Sequence, residues 1–177
     1  MKIAYTKMHG TGNDILVVDR RTGNAPVPTP EKLRELGDET AGPGFDQLMW
    51  VTSSGNPAFA ADYRIFNADG SEVEQCGNGV RCVASMLANQ GGHAQSFTLQ
   101  SPAGPIRASV DDDGLVSVSM GLPKFDPAQI PFVADGRAGR YALDVAGTQF
   151  DICAVSMGNP HCVLQVEDVE EAAVDEL

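Results

Sequence analysis

Cys76 stands immediately before Gly77-Asn78-Gly79, where an apolar stripe with helical spacing begins. The first turn of a helix leaves backbone N–H groups without intrahelical partners, and these carry partial positive charge. A thiol placed there is expected to have its pKa drawn down from about 8.5 toward neutrality, making thiolate available as a base. The glycines let a ligand approach the free amides, which can hold a carboxylate. Abstraction of a proton from the α-carbon of an amino acid needs just this set. The carboxylate is held, the developing negative charge is stabilised, and a base sits beside the carbon. The same residues also fit a buried cysteine at a helix start whose glycines serve only as a cap.

Three further cysteines are present, Cys82, Cys153 and Cys162. Cys82 lies six positions along the predicted helix from Cys76. At about 100° per residue it points well away and is assigned to the core. Cys153 and Cys162 fall in strand patterns without a glycine nest. No CxxC pair occurs, and His161 and Cys162, as strand neighbours, point to opposite faces, so no metal site is expected. All four cysteines read as free thiols, with Cys76 the most reactive. A thiol-redox role is disfavoured because Cys76 has no resolving partner at short spacing.

Many short strands and one long helix must position this segment. Met1–Tyr5 and Ile15–Asp19 read as strands flanking the loop from Lys7 to Asp14. Thr29 is an N-cap for a short helix over Pro30–Leu36, with Pro30 at its first position and Glu31 in its first turn. Strands follow at Leu48–Val51 and Tyr63–Asn67, then a turn at Asp69-Gly70 before a strand at Glu72–Gln75. Val80, Val83, Ala84 and Leu87 form the i, i+3, i+4, i+7 stripe of the long helix, which Gly91-Gly92 stops. Further strands are expected at Ser96–Gln100, Ile106–Val110, Leu115–Met120, Arg140–Val145, Thr148–Val155 and Cys162–Val166. This balance predicts an α+β fold: a mixed, mostly antiparallel sheet wrapped around a central helix, not a nucleotide-binding βαβ fold.

The proline-bearing stretch from Gly121 to Pro131 reads as a crossover, giving a first domain over 1–121 and a second over 122–177. A short internal repeat supports two similar halves. Gly12-Asn13 and Gly158-Asn159 each precede a polar or turn residue and then an apolar strand, at an offset of 146 residues. The same offset carries Cys76 to position 222, past Leu177, so the second pseudo-symmetric domain is expected to be truncated. Net charge is −12, from 24 acidic and 12 basic residues, with no Lys/Arg cluster, which argues against a nucleic-acid partner. No apolar run approaches the roughly 20 residues that span a bilayer. The N-terminus lacks the apolar core of a signal peptide, so no membrane partner and a cytoplasmic location are expected.

Five blocks resemble the diaminopimelate epimerase family in order and spacing. They are Met8-His9-Gly10-Thr11-Gly12-Asn13-Asp14, Gly44-Phe45-Asp46-Gln47, Arg64 through Glu72, Cys76-Gly77-Asn78-Gly79-Val80-Arg81-Cys82, and Met157-Gly158-Asn159-Pro160-His161. The resemblance implies interconversion of LL- and meso-diaminopimelate, in bacterial lysine and peptidoglycan synthesis, by two opposed cysteines without pyridoxal phosphate or metal. By the same resemblance Cys76 is the catalytic thiol of the first domain, and Gly77 and Asn78 bind the substrate α-carboxylate. Asn13, Asn67 and Asn159 correspond to substrate-binding asparagines, Gln47 to a binding glutamine, and His161 to a supporting histidine near the reacting centre. No cofactor and a homodimer are further expectations. The family's second catalytic cysteine has no match here, so this chain alone is expected to be inactive. Two alternatives stay open. One is another two-thiol racemase acting on proline-like or other amino acids, against which the amides Asn13, Gln47, Asn67 and Asn159 favour a polar, double-ended substrate. The other is a non-catalytic small-molecule-binding fragment.

Overall fold

A computed structural model of the chain describes residues 3–23, 25–91 and 95–172. The chain divides into two units, residues 1–120 and 121–177. In the first, the runs Ile15–Val18 and Leu48–Val51 are apolar without alternation. Such strands need cover on both faces. They lie in β2 (Asn13–Asp19) and β3 (Gln47–Thr52), which pair in parallel. Parallel neighbours require a crossover, and α1 (Pro30–Gly37) supplies it. A second crossover runs from β4 (Ala61–Asn67) through α2 (Gly77–Gly91) to β6 (Gln95–Ser101), again a parallel pair.

The remaining strands are β1 (Thr6–Gly10), β5 (Glu72–Val73), β7 (Gly104–Val110) and β8 (Val116–Val118). The sheet order is β1-β2-β3-β4-β6-β7-β8, with β5 on β4. Every pairing other than the two crossovers is antiparallel. The pairing of β4 with β6 is short, joining Ala61 to Leu99 and Asp62 to Gln100. Helix α2 spans this seam, packing on β1, β2 and β3 on one side and on β7 and β8 on the other. The expected mixed sheet around a central helix is what forms.

Two of the three hydrophobic clusters in this unit follow from the period of β2, β3 and β4. Ile15, Val17, Met49, Val51, Tyr63 and Ile65 face α2 and enclose Val80, Val83 and Leu87, with Cys82 beside them at 4% exposure. Leu16, Val18, Leu48, Trp50 and Phe66 face the other way, onto Leu33 of α1 and Phe45. The N-cap of α1 is Thr29, whose hydroxyl accepts from the Lys32 amide (3.4 Å).

Several boundaries differ from the sequence reading, among them β11, which runs over Pro160–Leu164 and not Cys162–Val166. Ile3–Tyr5 form no strand, and Met1 and Lys2 lie outside the described residues; β1 is Thr6–Gly10 instead. The supposed loop from Lys7 to Asp14 is therefore a tight hairpin, turning on Thr11 (φ 52°) and Gly12 (φ 89°). A two-residue turn with positive φ at both positions matches the twist of its flanking strands, and Thr-Gly lacks the familiar Asn-Gly or Asp-Gly signature. Strand β5 ends at Val73, before the chain enters α2, and β8 begins only after Leu115, whose amide is held by the Asp111 carboxylate (2.8 Å). The predicted stop at Gly91-Gly92 is half described: Gly91 ends α2, and Gly92 lies outside the described residues.

The second unit is a meander, β9 (Tyr141–Val145), β10 (Thr148–Ser156) and β11 (Pro160–Leu164), with order β11-β10-β9. Ile130, Ile152 and Ala154 are among its buried apolar residues, and Phe132 meets the Tyr141 ring edge-on at 4.8 Å. Its β10–β11 turn repeats a feature of the first unit. Gly158 (φ 104°) precedes Asn159, one residue before β11, much as Gly12 precedes Asn13 at the start of β2. Among the described residues, no helix is long and apolar enough to cross a membrane.

The fit of α2 into the sheet gives a stability prediction. A Cβ at Gly79 would run into the side chain of Met49, which is fully buried. Gly79→Ala is expected to destabilise the fold by about 1–3 kcal/mol through overpacking. Guanidinium unfolding checks this: the midpoint should fall while the slope stays constant. An unchanged midpoint would show that Met49 swings aside freely.

Candidate active site

Cys76 occupies the N-cap of α2. Its carbonyl accepts from the Val80 amide (3.0 Å), and its Sγ accepts from the Gly79 amide (3.2 Å), the place that a serine or aspartate oxygen usually takes. The helix start expected from Cys76-Gly77-Asn78-Gly79 is therefore built, and the thiol is tied into it. The expected direction of its pKa is not met. Burial pushes the Cys76 thiol up from the ordinary range. Donation from the Gly79 and Asn78 amides, and the charge of Arg81, pull it down without cancelling that effect. Helix-start amides were legible in the sequence, but half-burial against the core was not.

The first turn of α2 presses on β1. A Cβ at Gly10 would come 3.0 Å from Cβ of Asn78 and 3.3 Å from its Cα, so only glycine lets the two elements approach. That approach joins Asn78 to Asn13 across 65 residues: Asn78 Nδ2 donates to Asn13 Oδ1 (2.6 Å). Both ends of this pair carry a charged partner. Asn13 Nδ2 donates to Oδ2 of Asp46 (3.3 Å), which also accepts from the Asp14 amide (2.8 Å). At the other end, the Arg81 guanidinium donates to Asn78 Oδ1 and reaches Oγ1 of Thr11 (3.4 Å).

A second amide chain lies on β3 and β4. Gln47 and Asn67 are partners in the strand register, and Gln47 Nε2 donates to Asn67 Oδ1 (3.3 Å). Asn67 Nδ2 donates to Ser71 Oγ (3.1 Å), and Ser71 donates to the Asp69 carboxylate (2.6 Å). Oε1 of Gln47 is buried without a partner. Strand alternation places Asn13, Gln47 and Asn67 on the same face as Ile15, Met49 and Ile65, the face that α2 covers. Three amides from three adjacent strands thus share one face and one end of the sheet with the start of α2.

Of the residues singled out from sequence, Cys76, Gly77, Asn78, Asn13, Gln47 and Asn67 are brought together in this way. Asn159 and His161 belong to the second unit, and both are exposed. His161 Nδ1 lies 3.0 Å from the Asn159 carbonyl. Sequence reasoning passed over Asp46, Arg81, Thr11 and Ser71 as contributors. All four stand inside the quoted blocks, next to or near the residues chosen, and their charge or hydroxyl was the available signal. Among the described residues, no group of three or more His, Cys, Asp and Glu side chains is placed to hold a metal ion.

These environments reverse the expected order of thiol reactivity for this chain. Cys153 and Cys162 are exposed, Cys76 is partly covered with a raised pKa, and Cys82 is buried with burial raising its pKa too. Iodoacetamide at pH 7 followed by peptide mapping should find Cys153 and Cys162 modified first, then Cys76, then Cys82. Because a raised pKa moves the thiolate to higher pH, the Cys76 rate should still be climbing above the ordinary thiol range. A Cys76 rate that saturates below pH 8 would contradict the dominance of burial.

Comparison with known proteins meets this geometry from outside. Residues 5–125 match the family model described as diaminopimelate epimerase. A diaminopimelate epimerase of Pseudomonas entomophila is 48% identical over 178 residues, covering all of this chain and 64% of that protein. One from Pseudomonas fluorescens is 46% identical with the same coverage, so the chain spans 64% of the length of the curated relatives it matches. Among solved structures, a probable proline racemase from Agrobacterium radiobacter superposes with a TM-score of 0.68 at 18% identity, over 92% of this chain and 52% of that one. A hydroxyproline epimerase from Agrobacterium vitis gives 0.65 at 15% identity, over 90% and 50%. Those two establish a shared fold. With a family match running from before β1 to beyond β8, and with the amides and the capping thiol inside it, the chain belongs to the diaminopimelate epimerase family.

Proposed function

We propose that this chain supplies one side of a cofactor-independent epimerase site for diaminopimelate, with Cys76 as the thiol that exchanges a proton with the α-carbon. The observation that carries the reading is the capping geometry. The Cys76 Sγ accepts from the Gly79 amide in the same helical turn that offers the Gly77 and Asn78 amides. A carboxylate held on that turn is placed beside the sulfur, and the N–H groups stabilise the charge that develops as the α-proton leaves. Asn13, Gln47 and Asn67 add amides that both donate and accept, which suits a substrate carrying two amino-acid ends. Asn159, as a further substrate-binding amide, and His161, as a supporting residue, are proposed on family resemblance alone.

The step balances simply. Cys76 thiolate takes the α-proton and becomes a thiol, leaving a carbanion stabilised by the held carboxylate. The thiol then returns a proton to the carbon, and the thiolate is restored. One thiol returns it to the face from which it came. Inversion needs a donor on the opposite face, and no other cysteine here has a comparable setting. Cys82 is buried in the core, while Cys153 and Cys162 lie within the strands β10 and β11, neither of them capping a helix.

The 177-residue chain alone is therefore expected to give no measurable meso product from LL-diaminopimelate. Each missing donor in such sites typically costs about 10²–10³ in rate. Incubation in D₂O, following α-deuterium and the meso isomer separately, is the test. Slow deuterium uptake with retained configuration, abolished by Cys76→Ser, is the expected result. Robust meso product would overturn the one-sided reading, and exchange that survives Cys76→Ser would remove Cys76 from its role.

A further inference from the structure

The chain of amides between Asp46 and Arg81 has a property that neither asparagine has alone. An asparagine side chain can be rotated end for end at little steric cost, exchanging its donor for its acceptor. A carboxylate only accepts and a guanidinium only donates. With Asp46 at one end and Arg81 at the other, the two amides between them have a single consistent orientation. Asn13 must turn its NH₂ to Asp46, which leaves its oxygen for Asn78 (2.6 Å). Asn78 must then turn its NH₂ to Asn13 and its oxygen to Arg81. After these bonds, each amide retains one unused N–H.

We propose that Asp46 and Arg81 are positioning residues whose opposite charges lock Asn13 and Asn78 as a pair of N–H donors, selecting a carboxylate at the start of α2. The inference rests on the reading of Cys76 and its neighbours as a substrate site. It adds the residues that set the polarity of that site. Without the charged ends the pair could reverse and present oxygens, which would repel a carboxylate and attract an ammonium group. The two ends are unequal. Asp46 is exposed, whereas Arg81 is partly buried and also reaches Thr11 across the β1–β2 turn. Loss of Arg81 should therefore have the larger effect, because charge-assisted bonds weaken with solvent exposure. Gln47 and Asn67 form a separate chain ending on Asp69, and they serve as an internal control.

The test uses the ¹⁵N-labelled 177-residue chain and the side-chain NH₂ signals of Asn13, Asn78, Gln47 and Asn67. In Asp46→Asn, the NH₂ pair of Asn78 should shift although Asp46 does not touch it. In Arg81→Gln, the pair of Asn13 should shift likewise. Arg81→Lys keeps a cation that only donates and should hold the Asn13 pair near its original position. Gln47 and Asn67 should not respond in the two Arg81 variants, and in Asp46→Asn they should respond less than Asn78. Binding of LL-diaminopimelate should weaken by about tenfold in Arg81→Gln and by less in Asp46→Asn, as expected for loss of one charge-assisted bond.

Asn78 unmoved in Asp46→Asn, in a chain whose backbone spectrum is native, would overturn the proposal. So would equal responses in Gln47 and Asn67, which would mark a general disturbance rather than a relay. If Arg81→Gln does not fold, Asp46→Asn at its exposed position still decides between these results. Coupled amide shifts in a chain that binds no diaminopimelate would uphold the relay and tell against the substrate reading, so the two fail separately.

Discussion

Helix α2 begins against the inner face of the sheet, and its first turn has no room for side chains on the side that touches β1 and β3. Gly10 on β1 and Gly79 on α2 create that room from opposite directions, one against the backbone of Asn78, the other against Met49. Everything chemical in the first unit depends on this contact. It brings Asn78 within reach of Asn13 and puts the capping sulfur where the strands end. It also fixes the angle at which the free amides of the turn leave the fold. The apolar stripe of Val80, Val83 and Leu87 then anchors the remainder of the helix in the core.

Using sulfur as a helix cap creates a competition at Cys76. Sulfur is a weak acceptor as a thiol and a stronger one as a thiolate, so the Gly79 and Asn78 amides favour the charged form. Half-burial favours the neutral form and prevails in the free chain. The balance is set by how much water and how much opposite charge surround the sulfur. It therefore responds to whatever covers that end of the sheet. A substrate ammonium group nearby would tilt it toward thiolate, whereas an apolar cover would tilt it further toward thiol.

Local signals were readable where they named their own structure. Thr29 before Pro30 announced a helix start and made one, and the 3.6-residue stripe from Val80 to Leu87 announced a buried face and made one. The candidate amides were legible because the blocks around them are distinctive, and the fold gathers Asn13, Gln47 and Asn67 on one face. What could not be read depended on distance or environment. Thr11-Gly12 is a poor turn signal in isolation, and tertiary packing makes it the corner of β1 and β2. Asp46 gains its role only by standing beside Asn13, 33 positions away, and Arg81 by reaching both Asn78 and Thr11. The direction of the Cys76 shift was missed for the same reason, since desolvation belongs to the folded surroundings and not to the residue.

The short seam between β4 and β6 has a consequence for cooperativity. Two residue pairs join strands β1 to β5 with the β6–β8 meander, the fewest between any neighbours along the sheet order. Helix α2 lies across both groups and is the principal tie between them. The β6–β8 meander is built from local hairpins, whereas the other lobe needs a crossover through α1 before its central strands can pair. Local pairings form sooner than crossovers, so the two lobes differ in when they can first assemble. Amide exchange would then divide along the seam, with α2 protected to the level of the better-held lobe. The helix that carries the thiol is thus also the element that the two lobes share.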